Sequence, residues 1–144
     1  MKTRTHQRFK WQSVEEMHLY STLWNSKMEF VLDECTCLET MLKDKVFFFN
    51  ESHLTKKAYG LIAKIKTIHQ EASGLLIKIN NHRNKLRIMF NSTESFDSTW
   101  AYKHEHRKLL IKLNELLGDF KLMKTGILRT VCDAMKFHKQ RRIA

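Results

Sequence analysis

The chain has 144 residues, 42% of them apolar and 28% charged, with no proline, four glycines, three cysteines and a formal net charge of +11. That length suits one domain with a continuous core, and the apolar share excludes a disordered chain. An odd cysteine count and the absence of proline argue against a disulfide-stapled, loop-rich scaffold and for uninterrupted helices.

Residues 1–11, MKTRTHQRFKW, are polar and basic, and no apolar run of signal-peptide length follows them. The apolar cluster at residues 46–49 is far too short to span a bilayer. A soluble, cytoplasmic protein is therefore expected.

The first helical pattern runs over about residues 9–48. Its apolar seam passes through Val14, Met17, Ser21, Trp24, Met28, Val31, Cys35, Leu38 and Leu42 in steps of three and four. It ends in Phe47, Phe48 and Phe49, which stand about 100° apart on a helix and so cannot all enter one seam. The cluster Asn50-Glu51-Ser52 offers Asn50 as a left-handed residue closing this helix and Ser52 as a cap for the next.

The second pattern, about 52–90, is stricter. Leu54, Ala58, Leu61, Ile65, Ile68, Ala72, Leu75, Ile79, His82, Leu86 and Met89 alternate steps of four and three, with Ile62, Leu76 and Phe90 beside them. Residues 91–98 hold the second turn. The third pattern, about 96–139, repeats the spacing through Tyr102, His106, Leu109, Leu113, Leu116, Phe120, Met123, Ile127, Thr130, Ala134 and Phe137, flanked by Leu110, Leu117 and Val131.

Faces this wide meet two neighbours, and short turns set neighbours antiparallel. The expected fold is all-α: a single-domain, antiparallel up-down-up bundle of three long helices with short basic tails (Lys2, Arg4, Arg8; Lys139, Arg141, Arg142). The glycines Gly60, Gly74, Gly118 and Gly126 fall inside helices, where close helix approach or a local bend would account for them.

Lys103-His104-Glu105-His106-Arg107 resembles a small chelate, but residues two apart on a helix point about 200° from each other, so His104 and His106 cannot close on one ion. His106 belongs to the seam and His104 faces outward. With turns centred near residues 50 and 93, His18, His82 and His106 fall within about one turn of a common layer, and Glu15 shares a face with His18. One Glu-x-x-His pair is too few for a dinuclear carboxylate site. A mononuclear histidine-rich metal site on His18, His82, His106 and Glu15 is a minor alternative to a buried polar layer. The same register brings Lys85 near Glu15 and Glu16, Lys64 near Glu34 and Glu39, and His53 near His138.

Cys35 and Cys37 diverge on their helix and Cys132 lies far along the axis from Cys35, so buried or solvated thiols are expected. Motifs of phosphate-binding loops, nucleophile elbows and zinc proteases are absent. No catalytic residue, cofactor, small-molecule substrate or membrane partner is implied. Two surfaces remain. Phe30, Phe48, Ile111, Leu128 and Met135, with Leu19, Leu23 and Leu122, lie off the seams and suggest self-association, as a dimer, or a protein partner. Lys66, Arg87 and Arg107 belong to a positive field that would suit nucleic acid or a ribosome, although no recognition motif sharpens it.

Overall fold

The computed structural model describes residues 13–90 and 96–143. Among them are four helices, α1 (Val14–Asp44), α2 (Val46–Glu51), α3 (Thr55–Phe90) and α4 (Phe96–Ile143), and no strand. Residues 1–12, 91–95 and 144 and the side chains of Phe90, Phe96, Asp97 and Ser98 lie outside the described residues.

Local chemistry sets the ends. Ser13 caps α1, its Oγ accepting the backbone N–H of Glu16 at 3.2 Å. The helix is continuous through Asn25 and Ser26, because the Asn25 amide donates to Glu29 one turn on rather than to nearby backbone. The first pattern does not reach residue 48 unbroken. Lys45 N–H bonds to Leu42 O, three residues back, and interrupts the ladder before the short α2 begins.

Chain reversal after α2 is a Schellman closure: Leu54 N–H bonds to Phe49 O at 2.9 Å and His53 N–H to Asn50 O at 3.4 Å. The left-handed residue is His53, at φ 60°, not Asn50, and Ser52 turns back to Phe48 O instead of capping α3. At the far end α4 continues to Ile143, so Lys139, Arg141 and Arg142 are helical.

The three long helices pack as an antiparallel up-down-up bundle, and each contributes one segment to each of two compact units. In the first unit (residues to 29, with 74–113), Met17, Leu86 and Tyr102 form a buried cluster against Val14 and Met89. In the second (30–73 with 114–143), the buried seam is nearly all aliphatic or aromatic, including Val31, Leu42, Phe49, Ile65, Phe120 and Ile127. Most heptad positions expected inside are inside, but Phe137 is exposed and Leu54 and Met89 are half-buried. From Ala58 to Leu86 and from Tyr102 to Ala134, the seam residues are buried except Leu61, which is half-buried.

Of the three phenylalanines, Phe49 is buried, Phe48 half-buried and Phe47 exposed, as their angular spread requires. The glycines do not mark close approaches. A Cβ at Gly60, Gly74 or Gly118 would meet nothing within 4 Å, and one at Gly126 only Leu61 at 3.9 Å.

Candidate functional site

The least ordinary part of the interior is a polar layer in the first unit. His82 on α3 and His106 on α4 are completely buried, and their rings are joined by a hydrogen bond of 2.9 Å between His82 Nε2 and His106 Nδ1. His82 Nδ1 lies 3.1 Å from Glu105 Oε1, and Lys85 Nζ lies 3.0 Å from Glu105 Oε2. A carboxylate only accepts, so His82 carries its proton on Nδ1. His82 Nε2 must then accept, and His106 donates to it from Nδ1.

The donors run one way, from His106 to His82 to Glu105. Aromatic rings close the layer: Tyr102 stacks on His82 with centroids 4.0 Å apart, and its hydroxyl donates to the His82 carbonyl at 3.1 Å. Trp24 of α1 covers His106 at 4.4 Å.

Burial holds both imidazoles neutral. It lowers the pKa of His82 against the pull of the Glu105 carboxylate, and it lowers that of His106 to about 4, with repulsion from His82 adding to it. For Glu105 partial burial works against the charged form, but the hydrogen bonds from Lys85 and His82 prevail and keep its pKa below the ordinary value. His106 Nε2 is buried without a hydrogen-bond partner. An orphaned acceptor of this kind costs on the order of 1–3 kcal/mol.

His18 and Glu15 do not join this layer. Both are exposed on α1, and Trp24 occupies the place the expected register gave to His18. The reason is the turn. Its centre lies near residue 53 rather than 50, which moves every α1 partner of α3 by about six residues, nearly two helical turns. Among the described residues no three His, Cys, Asp or Glu side chains are gathered as a metal site requires.

The same displacement redistributes the charges. Lys85 pairs with Glu105, not with Glu15 or Glu16. Glu39 is reached by Lys43 at 3.3 Å and Lys66 at 4.0 Å, and Glu34 by Lys124, in place of Lys64. His138 meets Glu51 at 2.8 Å, with Arg141 3.6 Å from the other carboxylate oxygen, while His53 is exposed at the turn.

Cys35 is buried and its thiol is pushed up to about 11 by burial, aided by Glu34 and Glu39; Cys37 and Cys132 are exposed, and all three are free thiols. Such a Cys35 is a small core residue rather than a nucleophile.

The expected apolar surface is present in each unit. Phe30 is 60% exposed, Ile111 52%, Leu128 46% and Met135 36%, and Leu19, Leu23 and Leu122 are exposed as well. Phe48 is half-buried against His138, at 4.9 Å. Lys66, Arg87 and Arg107 are all on the exposed side of their helices. No helix among the described residues is long and apolar enough to cross a membrane.

Sequence reasoning missed Trp24, Lys85, Tyr102 and Glu105 as members of the histidine layer. A signal existed: Tyr102 and Lys85 stand four and three residues from His106 and His82, on shared faces. The chain matches no protein-family model, and comparison with curated proteins and with solved structures finds no match.

Proposed function

We propose that this chain is a non-catalytic helical-bundle module that acts through its surface, by self-association or by binding another protein. One observation carries the reading. The seam positions of all three long helices are already filled, yet large apolar side chains remain outside them on the exposed faces. Exposed apolar surface beyond scattered single residues marks an interface.

Spacing favours a helical partner, and the most economical one is a second copy. Leu19 and Leu23 are four apart on α1 of the first unit, and Leu128 and Met135 are seven apart on α4 of the second. Each pair shares one side of its helix, the arrangement that another amphipathic helix meets.

Sedimentation equilibrium tests this directly. The wild-type chain is expected to weigh as a dimer, and Phe30→Asp or Leu128→Asp to return it to one chain with unchanged far-UV circular dichroism. A wild-type monomer at every attainable concentration, with captured partner proteins indifferent to both substitutions, removes the proposal.

A further inference from the structure

We infer that the hairpin end of the second unit docks on an anionic lipid surface, with Val46 and Phe47 entering the membrane interface and the basic side chains around them facing the headgroups. The fold assembles this patch from three separate stretches of chain. His138 Nδ1 lies 2.8 Å from Glu51 Oε2 and Arg141 lies 3.6 Å from Glu51 Oε1, which sets the last turns of α4 beside α2. The Thr55 hydroxyl donates to the Asn50 side-chain oxygen, which brings the first turn of α3 to the same end.

Phe47 is the apolar tip. It meets Phe48 and His138 edge-to-face, with centroids 5.5 and 6.3 Å away, and is still 65% exposed. Val46 beside it is 39% exposed, and Phe137, at the end of its seam, 37%. Within residues 45–57 and 136–143 there are seven lysines and arginines and one acid, Glu51, whose carboxylate is held by His138 and Arg141. Lys56, Lys57, Lys136, Lys139 and Arg142 are exposed, and among the described residues none of them reaches a carboxylate. Lys45 Nζ lies over the Phe48 ring, 5.4 Å from its centroid. Asp44 and Asp133 border the patch, and with both counted seven cations stand against three acids.

An anionic bilayer responds to that excess rather than to single pairs, because its field acts over a Debye length, about 10 Å at 0.1 M salt. A bordering carboxylate therefore weakens the attraction without cancelling it. Neither feature suffices alone: a small apolar tip gives marginal attachment, and stable docking takes apolar insertion together with a basic patch. A partner helix would need an apolar row at helical spacing, whereas Val46 and Phe47 are adjacent and diverge by about 100°. A fluid interface accepts such a tip. A nucleic acid would use the cations and leave Val46 and Phe47 in water. No membrane partner is legible in the sequence, because the patch exists only once the three stretches meet.

The test is flotation of the full chain with phosphatidylcholine vesicles containing about one third phosphatidylserine, and with pure phosphatidylcholine vesicles, in about 0.1 M salt. Binding is expected on the anionic vesicles only, and should fall steeply at about 0.5 M salt. Phe47→Ala should weaken it about tenfold, from the lost burial of the ring. Lys139→Gln with Arg142→Gln should weaken it about tenfold or more. All three side chains are exposed, so each variant should keep the wild-type far-UV circular dichroism. Phe47→Trp should retain affinity within about threefold and show more tryptophan quenching than the wild type on anionic vesicles with brominated acyl chains. A ring that enters the interface meets bromine, and one that stays above it does not.

No binding to the anionic vesicles overturns the inference. So does wild-type affinity in Phe47→Ala, or quenching in Phe47→Trp no greater than in the wild type, because either leaves only charge attraction. Equal binding to the neutral vesicles removes the role of the basic side chains and overturns it as well. Displacement from the vesicles by a single-stranded oligonucleotide, with Phe47→Ala displaced alike, points to nucleic acid and overturns it too. Both weakened variants are expected to sediment at the wild-type mass, so loss of vesicle binding is read apart from loss of self-association.

Discussion

The two units are built from segments of the same three helices and fill their seams differently. The second packs Val31, Leu42, Phe49, Ile65, Phe120 and Ile127, and its buried Thr130 hydroxyl is satisfied within α4 by Gly126 O at 2.8 Å. The first places two imidazoles in its seam and must satisfy them across helices, through Glu105 and Lys85, with one acceptor left over. Aliphatic layers gain from area alone and do not depend on pH. A polar layer depends on geometry and on which protons are present.

The largest effect should come from the aliphatic side. Ile127 is fully buried, and Ile127→Ala is expected to lower stability by about 2–5 kcal/mol in urea unfolding, equally at pH 7 and pH 5. A loss that changed sharply with pH would erase the distinction between the units.

Next comes the polar side. His106 has a folded-state pKa of about 4 against an ordinary 6.5, so as pH falls below 6.5 the unfolded chain takes up a proton that the folded one refuses. Stability from this group is complete above pH 6.5 and is lost progressively down to pH 4; His82, shifted the same way, adds to the loss. From pH 7 to 4.5 the decline should be on the order of 2 kcal/mol or more. Glu105, whose pKa is held below the ordinary 4.5 by its hydrogen bonds from Lys85 and His82, contributes stability that is lost only as pH falls below that ordinary value. The paired replacement His82→Leu with His106→Phe should flatten the profile, and a wild-type profile already flat between pH 6.5 and 4.5 sinks the assignment of neutral imidazoles.

The smallest effect should not distinguish the units at all. Gly74 belongs to the first and Gly118 to the second, and a Cβ at either meets nothing. Each should gain about 1 kcal/mol on replacement by alanine, read as a shift in the thermal midpoint, because the change acts on the helix backbone and the unfolded chain. Unequal gains would show that one segment is less regular than its neighbour.

How much of this was legible varies with the length of chain that decides it. The seams were readable because each heptad position is fixed by the residues three and four away; Ile65, Ile79, Leu113 and Ile127 are buried where that spacing puts them. The contact of His82 with His106 was readable for a similar reason, since the second turn lies close to where composition placed it. The partners of α1 were not. They depend on where the first hairpin reverses, and a shift from Asn50 to His53 is too small to see in composition yet moves each partner by about six residues, nearly two turns. Hence Trp24 rather than His18 covers His106, and Glu51 rather than His53 meets His138. The break at Lys45 was hidden too, because lysine has no intrinsic objection to a helix.

The imidazole pair also bears on how the chain finds its alignment. A heptad seam can slip by seven residues and still set leucine against leucine, so α3 and α4 have neighbouring registers of similar burial. One slip sets His82 against Leu113 and His106 against Met89, stranding two imidazoles among aliphatic side chains with no acceptor for either ring N–H. Misaligned pairings are thereby penalised where the rest of the seam is nearly indifferent, and premature hairpins can dissolve and re-form until the two rings meet.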